Sequence, residues 1–158
     1  MKKFIFTLLL MLPLSLMAQV QFFMDVPVVT VEQFNAELIE KGFVKVESND
    51  STQTDSASVN VPLKGKYLDE EVTVFSALQG ETLTVYVSFS PKEGYAKEGR
   101  IAEIAEKYEK ASGIKFKKEG TYYNFFDEKN LCFIMIASED DEVFLTCSCI
   151  KPLNSATL

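Results

Sequence analysis

The sequence predicts an α+β fold in which two tandem repeats, each a helix followed by antiparallel strands, share one sheet and place both helices on one face. Two observations lead to this prediction. Apolar residues recur at helical spacing in two segments, and each segment ends at a glycine, Gly42 or Gly113. Short alternating runs, separated by turn-forming pairs, follow each helix. Repeat one spans about 27–90 and repeat two about 91–151, within a single domain at 19–158.

The N-terminal segment 1–18 has the pattern of a cleavable secretory signal peptide. Lys2 and Lys3 precede an almost wholly apolar run, and Ala18 supplies the small residue at the cleavage point. The run is short for a membrane span, which needs about 20 residues, although a retained anchor is the alternative. We expect the mature chain to begin at Gln19 and to be periplasmic or secreted, without a membrane anchor.

Charge and composition exclude several classes of function. The chain has 158 residues and a net charge of −7, which becomes −9 when residues 1–18 are removed with their two lysines. An acidic chain is repelled by phosphate backbones and anionic lipids, so we expect neither nucleic acid nor a membrane surface as a partner. Histidine is absent from the sequence, which removes the commonest metal ligand and general base.

Motifs of known chemistry are missing as well. The sequence has no glycine-rich phosphate loop and no nucleophile elbow. Cys147 and Cys149 have the wrong spacing for a metal or redox pair. The acidic tip Glu139–Glu142 lacks the spaced ligands of a calcium loop and is expected to be a solvated turn. We therefore expect no catalytic residue, no metal and no cofactor, and a protein that is not an enzyme.

The first helix is expected to begin after Thr30, a good N-cap that is followed three residues later by Gln33, as in a capping box. Gly42 ends the helix in the left-handed conformation, and Phe43 is expected to fold back on Leu38. The apolar stripe of this helix consists of Val31, Phe34, Leu38 and Ile39.

The second helix is expected at about 96–112, and Gly113 ends it. Upstream, the segment Ser90-Pro91-Lys92-Glu93 has the pattern of another capping box. Residues 91–95 are either part of this helix or a separate short turn. The apolar stripe consists of Ile101, Ile104, Ala105 and Tyr108.

Turn-forming pairs predict the strand registers. Gln79-Gly80, Glu119-Gly120 and the acidic tip are taken as hairpin turns. The predicted opposite pairs are Leu78 with Glu81, Lys118 with Thr121, Phe126 with Leu131, and Ser138 with Val143. These registers place one strongly apolar set on the face that the helices cover. That set consists of Val72, Val74, Leu83, Val85, Val87, Phe89, Ile114, Phe116, Tyr123, Phe125, Cys132, Ile134, Ile136, Val143, Leu145, Cys147 and Cys149.

The opposite side of the sheet, called the open face below, is the candidate binding surface. It carries hydroxyl residues together with aromatic side chains and Met, which are enriched at protein interfaces. Alternatively, the C-terminal tail, the loop at 48–58 or a dimer mate covers this face, because large apolar patches on monomers are rarely bare. The candidate binding residues are Phe75, Tyr86, Tyr122, Asn124, Phe133, Met135 and Phe144.

The cysteines predict one disulfide. Pairing Ser138 with Val143 places Cys132 opposite Cys149 and leaves Cys147 as a buried thiol. An oxidising compartment favours the bond. Two alternatives remain, namely three reduced cysteines in the core and a two-residue slip that brings Cys147 opposite Cys132.

Several short motifs resemble a known family. Met24-Asp25-Val26-Pro27, the run Phe34…Leu38…Lys41-Gly42-Phe43 and the later Lys107-Tyr108…Gly113 are similar to small exported proteins of Gram-negative gut-type bacteria. The fold of that family is similar to the beta-lactamase inhibitor protein, so the resemblance implies tandem helix-plus-sheet repeats with a concave, aromatic-rich sheet face. It implies no contact residue, because no inhibitor contact matches this sequence position by position.

The resemblance also implies two candidate modification residues, Ser51 and Ser56. The triplets Asp50-Ser51-Thr52 and Asp55-Ser56-Ala57 resemble the Asp-Ser/Thr-small acceptor of general O-glycosylation in such bacteria. Chance is the alternative, because polar loops are rich in these residues.

Two functions of different classes follow from the sequence. The first is an exported protein-binding or inhibitor-like module that acts through the open face. The second is a small-ligand carrier or an enzyme with a pocket beside the sheet. A shallow aromatic face without a cavity favours the first, whereas polar groups that converge in a cavity favour the second.

Overall fold

The computed structural model of this chain describes residues 22–46, 61–94 and 96–150. The predicted signal peptide at 1–18 and the candidate modification residues Ser51 and Ser56 lie outside these ranges. Within them, neither helix is both long and apolar enough to cross a membrane.

Two helices and ten strands form in the described ranges. The helices are α1 (Val31–Glu40) and α2 (Lys97–Ser112). The strands are β1 (Phe22–Phe23), β2 (Val26–Pro27), β3 (Val44–Lys45), β4 (Leu63–Tyr67), β5 (Glu70–Gln79), β6 (Thr82–Phe89), β7 (Lys117–Glu119), β8 (Tyr122–Asp127), β9 (Cys132–Glu139) and β10 (Glu142–Ile150).

Eight of these strands form one antiparallel sheet in the order β3-β4-β5-β6-β10-β9-β8-β7, and β1 and β2 form a separate two-stranded sheet. Strands β6 and β10 meet at the centre of the large sheet. They pair from Val143 opposite Phe89 to Ile150 opposite Thr82. This pairing joins the two halves of the chain into one sheet.

The prediction of two tandem helix-plus-strand repeats is wrong. Strands hold 48% of the described residues, and only two helices accompany one continuous eight-stranded sheet and a small second sheet. The β1–β2 hairpin precedes α1 and belongs to neither of the expected repeats. The recurring helix, glycine and strand pattern misled the prediction because it reports only how a helix ends, and a left-handed glycine ends helices in many topologies.

Local sequence determines both ends of α1, as predicted. The Thr30 Oγ1 accepts a hydrogen bond from the N–H of Gln33 at 3.1 Å, which satisfies one of the free donors of the first turn. At the other end, Gly42 has a φ of 94°. The N–H of Phe43 then donates to the carbonyl of Leu38 at 3.0 Å, which is the hydrogen bond between the sixth and the first residue of a Schellman motif.

The helices cover one face of the large sheet. α1 packs on β4 and β5, and α2 packs on β8, β9 and β10. The predicted stripe of α2 is buried throughout, whereas Ile39 of α1 is exposed because it lies about 100° around the helix from Leu38. α2 begins at Lys97. The predicted capping box at Ser90–Glu93 therefore begins no helix, and the chain forms a turn at Glu93 and Gly94 instead.

Three of the four predicted registers are wrong by two residues. The structure pairs Leu78 with Leu83, Lys118 with Tyr123, and Phe126 with Phe133. In the first two hairpins the glycine occupies the first loop position, with φ of 59° at Gly80 and 60° at Gly120, as type II′ turns prefer. The prediction had placed each glycine second.

The predicted faces are nevertheless correct, because side chains alternate with a period of two and a two-residue slip leaves them on the same side. All residues of the expected core set are buried, or are partly buried and pack against the core. The fourth register is correct, since Val143 lies opposite Ser138.

A buried ion-pair network, which the sequence analysis did not foresee, ties α2 to the start of β5. The guanidinium of Arg100 is almost fully buried and bonds both carboxylate oxygens of Glu70. Arg100 Nη1 also donates to Glu103 at 2.9 Å, and Lys107 Nζ donates to Glu70 at 2.6 Å. The hydrogen bond from Arg100 lowers the pKa of Glu70 to about 2, with Lys107 acting in the same direction, while partial burial opposes the shift.

Close packing at one edge of the sheet requires a glycine. A Cβ added to Gly65 of β4 would lie 2.5 Å from the ring of Phe43, which the end of α1 folds over this strand. The ring itself is buried. The pair Phe43 and Gly65 therefore sets how closely the α1 segment approaches β4.

We expect Gly65→Ala to lower the free energy of unfolding by about 1–3 kcal/mol, because the new methyl group must displace the Phe43 ring. Gly99→Ala, in the first turn of α2, is the matched control. There a Cβ would meet no heavy atom of the described residues within 4 Å, so the change should not lower the free energy of unfolding. Urea denaturation of both variants measures the two effects. Equal effects of both changes would contradict the packing argument.

We expect the stability of the chain to fall as the pH drops from about 4.5 to about 2. Glu70 has a usual pKa of 4.5 but a pKa of about 2 in the folded chain. The stability that this carboxylate contributes is thus fully present above pH 4.5 and is lost as the pH falls through 2.

Glu70→Gln should flatten this pH dependence, by on the order of 2–3 kcal/mol between the two limits. Glu71→Gln, at the exposed neighbouring residue, should leave it unchanged. Urea unfolding at pH 7, 4.5, 3 and 2 makes the comparison. A Glu70→Gln curve parallel to that of Glu71→Gln would show that the network does not hold the carboxylate in its charged form.

Candidate functional site

The structure brings the seven candidate binding residues onto the open face, on five neighbouring strands. One row crosses the sheet almost completely. Phe75 lies opposite Tyr86, Tyr86 opposite Thr146, and Thr146 opposite Met135. Met135 in turn lies opposite Asn124 on β8. Residues far apart in sequence therefore share one continuous line of side chains.

Adjacent rows complete the surface. Phe133 lies between Ser148 on one side and Phe126 on the other. Phe144 lies between Ser88 and Ala137, and Tyr122 lies opposite Glu119 on the edge strand β7. The candidate residues thus surround a centre that consists of smaller side chains.

The centre of the open face is a strip of short hydroxyl side chains on β6 and β10, called the hydroxyl strip below: Thr84, Ser88, Thr146 and Ser148. Three of them are less than 10% exposed although they point away from the helices, at 8% for Thr84, 9% for Ser88 and 9% for Thr146. Larger neighbouring side chains extend further from the sheet than these hydroxyl side chains do. The strip is therefore a shallow depression in the open face.

Hydrogen bonds fix the hydroxyl strip. The hydroxyls of Thr84 and Ser148 lie 3.1 Å apart across β6 and β10. Ser88 Oγ donates to Glu142 at 2.6 Å, and Thr146 Oγ1 donates to the carbonyl of Met135 at 3.4 Å. A surface organised in this way needs little rearrangement before it contacts a partner.

The aromatic side chains beside the strip are half exposed. Phe75 is 41% exposed, Tyr86 43% and Phe133 37%. The apolar surface extends towards one end of the sheet through three further exposed side chains. These are Phe126, which lies opposite Phe133, and the hydrogen-bonded pair Leu131 and Ile150. The sequence analysis did not list these three among the binding residues, although parity along the strands places Phe126 and Ile150 on this face.

Charged side chains of the open face lie at its margin. On β7, Lys117 pairs with Glu119, and the hydroxyl of Tyr122 donates to Glu119 at 3.0 Å. The Lys117 ammonium is the chief reason that the pKa of Glu119 is lowered, and the bond to Glu119 raises the pKa of Tyr122. On the opposite margin, Lys64 lies across from Thr73 and Lys66 across from Glu71.

The predicted disulfide lies on the covered face of the same strands. Cys132 lies opposite Cys149, as the register predicted, with their Sγ atoms at disulfide-bonding distance. Cys147 is a buried free cysteine, and its Sγ lies 3.6 Å from that of Cys149. Burial raises the pKa of the Cys147 thiol to about 12, which suppresses the reactive thiolate at neutral pH.

The part of the chain that the structure describes holds no group of three or more Cys, Asp or Glu side chains arranged to bind a metal ion. No family model matches the chain, and no curated protein and no solved structure shows significant similarity to it. The resemblance to small exported bacterial proteins accordingly stays a prediction from the sequence.

We expect one free thiol in the oxidised chain, and only after unfolding. Under native conditions the buried, high-pKa Cys147 should resist iodoacetamide, whereas denaturation without reductant should expose one reactive thiol that mass spectrometry assigns to Cys147. Reduction before denaturation should raise the count to three. Three thiols without reductant would refute the disulfide, and one thiol at Cys149 would show the alternative pairing of Cys132 with Cys147.

Proposed function

We propose that this chain is an exported protein-binding module whose open face contacts a folded protein partner with an apolar, uncharged contact surface. The observation that carries the proposal is the composition of the open face: its central rows hold aromatic, Met and hydroxyl side chains, and its charges lie at the margin. Protein interfaces share this arrangement of an apolar core depleted in charge and a polar rim.

The size of the open face fits a protein partner. Eight strands about 4.8 Å apart make a sheet about 34 Å wide, and the central strands, at about 3.4 Å per residue, are about 27 Å long. Because the edge strands β3 and β7 have only two and three residues, the area of the face is somewhat less than the product of about 900 Å², and close to the roughly 800 Å² that each partner buries in a standard interface. A small molecule would contact only a fraction of such a surface.

The chemistry of the face also limits the partner. Half-exposed rings of Phe75, Tyr86 and Phe133 offer large contact area and lose few rotamers when they bind. Each hydroxyl of the strip already makes a hydrogen bond within the sheet, so the strip offers few free donors to a charged group of the partner. An apolar convex surface or loop that fills the depression over the strip would lose least by desolvation.

Export is the second half of the proposal, and two features support it. The segment 1–18 has the n-region, apolar run and small residue of a signal peptide. Cys132 and Cys149 stand at disulfide-bonding distance, and disulfides persist chiefly in oxidising compartments outside the cytosol.

Photo-crosslinking followed by affinity measurement tests the binding surface. p-Benzoylphenylalanine placed at Phe75 or Phe133 in the native host should capture one protein, whereas the same group at Ile39 should not. Ile39 is a matched control because it is an aliphatic side chain of similar exposure, 41%, on α1. Crosslinks between two copies of this chain would replace the proposed partner by a dimer mate and overturn the proposal.

With the captured partner, Phe133→Ala and Tyr86→Ala should each weaken binding by about thirtyfold, which corresponds to about 2 kcal/mol for an anchor aromatic. Their free energies of unfolding should fall by less than about 1 kcal/mol, the range of a cross-strand pair. Ile39→Ala should leave the dissociation constant unchanged. If stability and binding fall together in the two aromatic variants, these rings support the fold and do not form the contact.

A further inference from the structure

A pocket of about 320 Å³ lies away from the open face, among the β1–β2 hairpin, the end of β4 and the C-terminal end of α2. Its volume is at the lower end of the range of ligand-binding pockets, roughly 300–1,000 Å³. Its lining includes Phe22, Asp25, Tyr67, Tyr108, Ala111 and Ser112. The surface described above does not use any of these residues.

Three electrostatic features of this N-terminal pocket favour a positive charge. Asp25 contributes a carboxylate, and Tyr67 and Tyr108 contribute aromatic rings, whose faces carry the negative side of a quadrupole. Ala111 and Ser112 belong to the last turn of α2, and the C-terminal end of a helix carries partial negative charge. None of the described residues that line the pocket is basic.

The acidic groups of the pocket lie close enough to influence one another. Burial raises the pKa of the Tyr67 hydroxyl, and the carboxylate of Asp25 raises it further. Burial also raises the pKa of Tyr108, with Tyr67 and Asp25 contributing. A tyrosine hydroxyl is neutral at physiological pH even at its ordinary pKa of about 10, and these shifts keep the two phenols neutral to higher pH, so that they can donate or accept hydrogen bonds.

We propose that the N-terminal pocket binds a small organic cation, an ammonium group on a compact apolar body, with Asp25 as its counter-ion. The apolar body contacts Phe22 and the half-buried ring of Tyr67, and the ammonium lies at the mouth, where Asp25 is exposed. This site is independent of the protein-binding surface, since the two are built from different residues.

The probe pair for this proposal is 2-phenylethylamine and 2-phenylethanol, which share a shape and differ in charge at pH 7. Isothermal titration calorimetry with the purified chain should show the amine binding at least fivefold more tightly than the alcohol. Absence of amine binding at millimolar concentration, or equal affinity for the two probes, would overturn the proposal.

Two variants locate the binding. Asp25→Asn should reduce amine affinity to that of the alcohol without changing alcohol affinity, because asparagine keeps the left-handed backbone at this position, φ 58°. Ala111→Phe should fill the pocket and abolish binding of both probes. Because Ala111 is exposed on α2, the thermal unfolding midpoint should stay near that of the parent chain. Amine affinity that is unchanged by Asp25→Asn, or amine binding that survives Ala111→Phe, would place the amine elsewhere and refute the site.

Asp140→Asn is the matched control for Asp25→Asn. Asp140 also occupies a two-residue hairpin loop, with a left-handed φ of 51°. Its neighbour Asp141 pairs with Lys97 at the N-terminal end of α2, so the roughly 21 Å of helix between Lys97 and Ala111 separates this loop from the pocket. That distance exceeds the Debye length of about 8 Å at physiological ionic strength, and amine affinity should not change. An equal loss in both variants would mean that net charge, and not the pocket, attracts the amine.

Discussion

Pairing between β6 and β10 is the interaction on which the other features depend. Their eight opposed residue pairs join strands from the two halves of the chain at the middle of the sheet. On the covered side, the pairing brings Val87 against Leu145 within the core. On the other side, it brings Tyr86 beside Thr146 and completes the row from Phe75 to Asn124. Without it, each half would present only a narrow strip of the open face.

One face of the central strands builds the core, and the other face forms the candidate binding surface. Alternating side chains of β6 and β10 enter the core under the helices, and the intervening residues include the hydroxyl strip together with Tyr86 and Phe144. The hydroxyls of the strip are hydrogen-bonded within the sheet, as buried polar groups usually are. The disulfide lies on the covered side of β9 and β10, where it fixes the register of the strands that carry Phe133 and Phe144.

Helix α2 connects the two halves by a second route. Its N-terminal part holds Arg100, which bonds Glu70, and its C-terminal part holds Tyr108, which lines the pocket with Tyr67. Tyr67 and Glu70 are opposite residues at the tip of the β4–β5 hairpin. Burying Arg100 costs desolvation energy that only well-placed carboxylates offset. The ion-pair network therefore positions the tip of the β4–β5 hairpin along α2 and also stabilises this tip. The pocket and the network thus follow from one contact between α2 and the first half of the chain.

The sequence alone determined the local features of this protein. Thr30, Gly42 and Gly113 mark helix ends because caps and left-handed residues act over a few neighbouring residues. Alternation alone also placed the candidate residues on one face, since a period of two survives a register error of two. The turn between β9 and β10 placed Cys132 opposite Cys149, because its register was predicted correctly. Only the tertiary structure decided the topology: the β6–β10 pairing joins residues more than 50 positions apart, and no local preference encodes such a contact. The Arg100–Glu70 pair and the pocket around Tyr67 and Tyr108 escaped prediction for the same reason. Their partners lie on separate elements, and only folding places them side by side.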